Sequence, residues 1–107
     1  PWNFGPSYNS NITVRELVNI VKKRWNYIEV EFEKPKIYES KYLMLDSSKA
    51  HNKLKWNPVW GIDLTINNTI DWYKNYYEKK IVKTDDQIEN FIQDAQKNKL
   101  SWALDVT

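Results

Sequence analysis

Cysteine is absent from the 107 residues, which excludes disulfides and thiolate metal sites and fits a reducing, cytoplasmic setting. Glycine occurs twice, at Gly5 and Gly61. These lie too far apart for a phosphate-cradling loop, where closely spaced glycines let backbone N–H groups approach the anion. Histidine occurs once, at His51. A transition-metal site would need carboxylates alone around it, so His51 reads as a surface residue and no metal is expected. No apolar run approaches the ~20 residues that cross a bilayer, and no basic-then-apolar leader is present, so no membrane partner is expected. The chain opens at Pro1 without Met and is expected to be a piece of a longer polypeptide.

Charge of one sign is also lacking. Sixteen basic residues are scattered among 14 acidic ones for a net charge of +2, which leaves no basic stripe to track a nucleic-acid backbone. Hydrophobic residues at 41% against 28% charged place the chain with folded proteins and away from disorder. The length suits one domain and not a nucleotide-binding and a substrate domain together. What is abundant is aromatic: six Trp and seven Tyr. Such rings fill a small core or leave apolar surface where a partner sits.

Along the chain, Trp2-Asn3-Phe4-Gly5-Pro6 reads as a short strand ended by Gly-Pro. Thr13 and Glu16 form a capping box ahead of Val14, Leu17, Val18, Val21 and Trp25, which predicts a helix over residues 14–25. Ile28-Glu29-Val30-Glu31-Phe32-Glu33 alternates with period two and predicts a half-buried strand. Tyr42-Leu43-Met44-Leu45 lacks alternation and predicts a strand covered on both faces, as in a parallel sheet. Asp46 or Ser47 caps a short helix over residues 48–54. Trp56-Asn57-Pro58 stops it, because the residue before a proline is pushed out of the helical region. Trp60 is expected to be buried near that turn. Asp63 opens a longer helix to residue 78, with Ile66, Ile70, Tyr73 and Tyr77 on one face. Thr84 and Gln87 form a second capping box for a last helix that turns Ile88, Phe91, Ile92 and Ala95 inward. The fold class expected is α/β: a small helix-rich lobe with about three short, mostly parallel strands, a fragment of a larger Rossmann-type enzyme.

The chemistry-bearing residues do not assemble an active site. Asp85 and Asp86 sit where a helix dipole favours acids, and Glu29, Glu31 and Glu33 form the solvated face of the expected strand. Tyr76 and Lys80 have the spacing of a proton-transfer pair but lack an accompanying Ser or Thr and a nucleotide loop. Asn11-Ile12-Thr13 and Asn67-Asn68-Thr69 match the glycosylation acceptor pattern and read as structural.

Taken together, Trp2-Asn3-Phe4-Gly5-Pro6, Thr13-Val14-Arg15-Glu16-Leu17, Glu39, Tyr42-Leu43-Met44-Leu45-Asp46-Ser47-Ser48-Lys49-Ala50, Leu54-Lys55-Trp56-Asn57-Pro58 and Thr69-Ile70-Asp71-Trp72-Tyr73 resemble the C-terminal part of the CDP-glucose 4,6-dehydratases. These belong to the extended short-chain dehydrogenase/reductase group of nucleotide-sugar enzymes. The resemblance implies a parent lyase that holds NAD and converts CDP-glucose to CDP-4-keto-6-deoxyglucose for bacterial surface polysaccharide. It implies that the cofactor loop and the catalytic set lie in a missing N-terminal Rossmann domain, so this segment holds no catalytic or cofactor-binding residue. By position in the group, Glu39 would accept hydrogen bonds from ribose hydroxyls; Lys36 and Lys41, with Lys34, carry the charge that would neutralise a diphosphate. Residues 1–80 would form the substrate-binding lobe and 81–107 a helical extension packed on it. The fragment is expected to be inactive alone and to self-associate through the surface left bare. The alternative is a free-standing carbohydrate- or protein-binding module whose exposed Trp and Tyr form a stacking platform.

Overall fold

A computed structural model of the chain describes residues 1–7, 10–33 and 44–104. Among these it holds five helices and no strand: α1 (Val14–Arg24), α2 (Ser48–Leu54), α3 (Ile62–Lys79), α4 (Thr84–Lys97) and α5 (Ser101–Leu104). The expected α/β class is therefore corrected to a helical arrangement over the described residues. A run of alternating residues becomes a strand only where a second strand completes its ladder. In residues 28–33 Ile28 and Val30 are half-buried and Glu29, Glu31 and Glu33 are exposed, but Phe32, expected on the inward face, is 50% exposed. A turn closed by Ile28 N–H donating to Trp25 O at 3.2 Å leads into the run, and no second strand pairs with it among the described residues. Residues 2–4 use their rings for lateral packing instead of pairing. Met44 and Leu45 lie in no strand, and Tyr42 and Leu43 fall outside the described residues.

The helix starts follow local chemistry. Thr13 N–H donates to Glu16 Oε2 (2.6 Å) and Glu16 N–H to Thr13 Oγ1 (3.2 Å), a complete capping box. The second box does not form. Thr84 Oγ1 instead accepts from the Trp72 indole N–H (2.8 Å), and the Gln87 amide donates to Asn68 O (2.7 Å), so both side chains tie α4 to α3. Gly61, not Asp63, is the N-cap of α3, and Asp63 lies in its first turn, where the helix dipole favours it. With glycine scarce, three lysines take left-handed backbone positions near helix ends: Lys55 (φ 55°), Lys80 (φ 56°) and Lys99 (φ 56°). At the last, Lys99 N–H bonds Gln96 O and Leu100 N–H bonds Ala95 O, both at 3.0 Å, in a Schellman arrangement.

Packing is thin. The buried hydrophobic residues are Ala50, Ile66, Ile70, Ala95 and Ala103, three of them alanines that bring little side chain to bury. Helix α1 lies on α3 through Trp25, whose indole N–H donates to Glu78 Oε1 at 3.2 Å and whose ring stacks on Tyr77 at 6.3 Å. Trp60, expected to be buried near its turn, is only half-buried; it donates to Asp94 Oδ2 at 2.9 Å and meets Phe91 edge-on at 5.1 Å. Phe91 in turn stacks on Trp102 of α5 at 5.9 Å. Tyr73, Tyr77 and Ile88, expected on inward faces, are exposed. The accessible surface is 9363 Å², against roughly 6,300 Å² for a compact monomer of this mass. The radius of gyration is 16.7 Å where about 13 Å is usual. The aromatic content thus mainly makes surface, not core.

Candidate functional site

The N-terminal segment is held against α2 and the turn that follows it. Lys49 Nζ donates to Pro1 O at 3.1 Å and sits 4.3 Å from the centre of the Trp2 ring. Phe4 meets Trp56 edge-on at 5.1 Å. Between them Gly5 comes so close to the chain before α2 that a Cβ there would lie 3.2 Å from Leu45 Cβ, a contact tight enough to favour glycine.

This crossing borders an open cleft of about 290 Å³ lined by Gly5, Pro6, Ser7, Met44, Leu45, Asp46, Ser47, Ser48, His51, Asn52, Trp56, Asn57 and Pro58. Its polar groups come from the start and the end of α2. Asp46 Oδ1 accepts from Ser48 Oγ and from Ser48 N–H (2.9 Å). The Ser48 hydroxyl and then its backbone N–H hold the Asp46 carboxyl below its ordinary range, because both bonds favour the ionised form. His51 Nδ1 pairs with Asn57 Oδ1 at 2.8 Å. With the amide oxygen as acceptor, Nδ1 carries the proton and Nε2 is left to accept. Ser47 Oγ is buried with no hydrogen-bond partner among the described residues.

The arrangement suits binding of a hydroxyl-bearing ligand: an ionised carboxylate, a histidine acceptor, an amide and a spare hydroxyl beside the Trp56–Pro58 wall. The Asp46 carboxylate, held ionised by Ser48, is set to accept hydrogen bonds. Among the described residues no group of three His, Asp or Glu gathers to hold a metal, and no helix is long and apolar enough to cross a membrane.

A second, more apolar groove of about 450 Å³ opens on the other side of the same wall. It is lined chiefly by Phe4, Trp56, Pro58, Trp60, Ile62 and Phe91. On α3, Trp72 and Tyr76 stack at 5.4 Å, and Tyr73 and Tyr77 stack at 6.3 Å.

Glu39, Lys36 and Lys41, the substrate-binding residues expected from the resemblance, lie outside the described residues, as do Lys34 and Tyr38. Asp46 and Ser47 were expected as caps, and they also line the cleft. The His51–Asn57 pair was missed. Its signal was the Trp56-Asn57-Pro58 stop, since a chain that turns sharply just past a helix brings its turn residues back beside the last turn.

Over 77 residues, covering 68% of this chain, the sequence is 34% identical to a CDP-glucose 4,6-dehydratase of Salmonella typhimurium. The chain spans 21% of that curated relative. No protein-family model matches the chain, and no solved structure matches it.

Proposed function

We propose that this chain is the substrate-binding lobe of a nucleotide-sugar 4,6-dehydratase acting on CDP-glucose, with the reaction carried out by groups elsewhere in the parent. The observation that carries this reading is the 34% identity over 77 residues to a CDP-glucose 4,6-dehydratase, of which the chain spans only about a fifth. The lobe contributes Glu39 to the ribose hydroxyls and Lys36 and Lys41 to the diphosphate, where opposite charge and hydrogen bonding act together. The cleft beside Asp46, His51 and Asn57 adds hydroxyl-matching groups on the same stretch of chain.

The residues present do not fit NAD. A dinucleotide site needs a glycine-rich turn into a helix N-terminus. Here Gly5 is used for close packing on Leu45 and Gly61 stands alone as the cap of α3. The cofactor and the internal redox chemistry belong to the missing Rossmann part, and no reaction step falls to this chain. The exposed Tyr73, Tyr76 and Tyr77 rings of α3 support a second reading, a free-standing carbohydrate-binding module.

Calorimetric titration with CDP-glucose, UDP-glucose and free glucose separates the two. The lobe binds CDP-glucose and not free glucose, and Glu39→Gln weakens that binding about tenfold, as expected for loss of charge-assisted hydrogen bonds. Equal binding of glucose and CDP-glucose would favour the module. Formation of an alkali-absorbing 4-keto sugar by this chain alone with CDP-glucose and NAD would overturn the assignment of catalysis to the rest of the parent.

A further inference from the structure

We infer that the open cleft beside α2 is a nucleobase subsite, which takes the cytosine ring of the nucleotide through Asp46, His51 and Asn57. The inference deepens the nucleotide-sugar reading and rests on it, since that reading supplies the nucleotide. The cleft measures about 290 Å³, close to the lower end of small-ligand sites at roughly 300 Å³. It suits one ring and not a whole sugar nucleotide. Met44, Leu45, Trp56 and Pro58 give it broad apolar stretches, and Trp56 is only half-buried. Such walls suit the faces of a flat base, where a hexose would set its hydroxyls against surfaces that cannot bond them.

The polar groups of the cleft fit the edge of cytosine. Ser48 occupies Asp46 Oδ1 through both its hydroxyl and its backbone N–H, which leaves Oδ2 to accept from a ligand. His51 Nδ1 donates to Asn57 Oδ1 at 2.8 Å. This leaves His51 Nε2 as a second acceptor and the Asn57 amide N–H groups as donors. All three side chains line the one cleft. Cytosine carries an amino group that donates, beside a ring nitrogen and a carbonyl that accept, and two acceptors with an amide donor answer these. Uracil has a carbonyl where cytosine has the amino group. Set against the Asp46 carboxylate, that carbonyl would leave two acceptors facing each other with no proton between them. The cleft therefore selects cytosine over uracil, and Asp46 sets the selection.

Calorimetric titration of the chain with CDP and with UDP, which differ only in the base, tests this. CDP is expected to bind at least about tenfold tighter than UDP, because the wrong base leaves polar groups of the site unpaired. Asp46→Asn keeps an oxygen for Ser48 but turns Oδ2 into an amide donor that matches the uracil carbonyl, so the preference should fall at least about tenfold or reverse. His51→Phe keeps a ring without the acceptor and is expected to weaken CDP and leave UDP unchanged. Far-UV circular dichroism confirms that each variant keeps its helices, and a merely structural role for Asp46 would weaken both nucleotides alike. Equal affinity of the unaltered chain for CDP and UDP, or a helical Asp46→Asn that keeps the full preference, would overturn the inference. If CDP-glucose binds with no preference for its base, the substrate-lobe reading stands and the cytosine subsite falls. If no nucleotide sugar binds, both fall.

Discussion

Ile70→Ala should remove most of the stability that the helices gain by packing. Ile70 is 4% exposed and, among the described residues, is one of two large aliphatic side chains in a core otherwise made of alanines. The substitution deletes three carbons at ~0.8 kcal/mol each. The cavity left behind adds to this, and the better helix propensity of Ala subtracts a few tenths, for a net loss of roughly 3 kcal/mol. A core this small places the whole chain near the lower end of ordinary stability, about 5 kcal/mol. More than half of it would go. Urea unfolding followed by far-UV circular dichroism at one fixed protein concentration measures this, since association would otherwise add a concentration dependence. The urea midpoint should fall by more than half. Val14→Ala is the companion control: Val14 is 72% exposed, and its replacement should change stability by less than about 0.5 kcal/mol. If the two variants had equal midpoints, the idea that Ile66 and Ile70 anchor the packing would be refuted.

Other outcomes follow from the helix ends. Thr13→Ala removes the side-chain cap of α1 and should cost about 1 kcal/mol, seen as faster amide exchange over its first turn. The Thr13 backbone N–H, and then its hydroxyl, hold Glu16 below its ordinary 4.5, and Ser48 holds Asp46 below 3.8. Both folded values are lowered, so their stabilisation is present above the ordinary values and is lost as pH falls through the folded ones. Acid titration should loosen the starts of α1 and α2 below about pH 4, and Glu16→Gln should flatten the response at α1 alone. Lys99→Gly relieves a left-handed side-chain residue at the end of α4 and should raise stability by roughly 0.5–1 kcal/mol after the unfolded-state cost of glycine. A melting temperature that stayed level or fell would contradict it.

The helices were readable because their signals are local. The Thr13–Glu16 box and the α2 limits at Ser48 and Leu54 stand where the sequence places them, and α3 is capped two residues earlier, at Gly61, and ends one residue later, at Lys79. The strands were not readable, because the alternation of residues 28–33 does not state whether a ladder partner lies within reach, and Phe32 of its apolar set is exposed. The Thr84–Gln87 box failed for a related reason: Trp72 and Asn68, distant in sequence, took the hydrogen bonds that local pattern assigned to the cap. Of the site, the Asp46 and Ser47 positions were legible as a helix start. The cleft they line depends on Gly5 crossing Leu45, a contact that no local pattern states. Glu39, Lys36 and Lys41 rest on resemblance alone.

The most direct measurement is a nitrogen-15 amide spectrum of the labelled chain recorded while CDP-glucose is added. Binding by a substrate lobe should move the amides of Lys36, Glu39 and Lys41 in a saturable way, with smaller shifts around Asp46 and Asn57, and CDP alone should reproduce most of the pattern. An unchanged spectrum at millimolar CDP-glucose, or shifts confined to Trp72, Tyr73, Tyr76 and Tyr77 and matched by free glucose, would contradict the assignment of this chain to a nucleotide-sugar dehydratase.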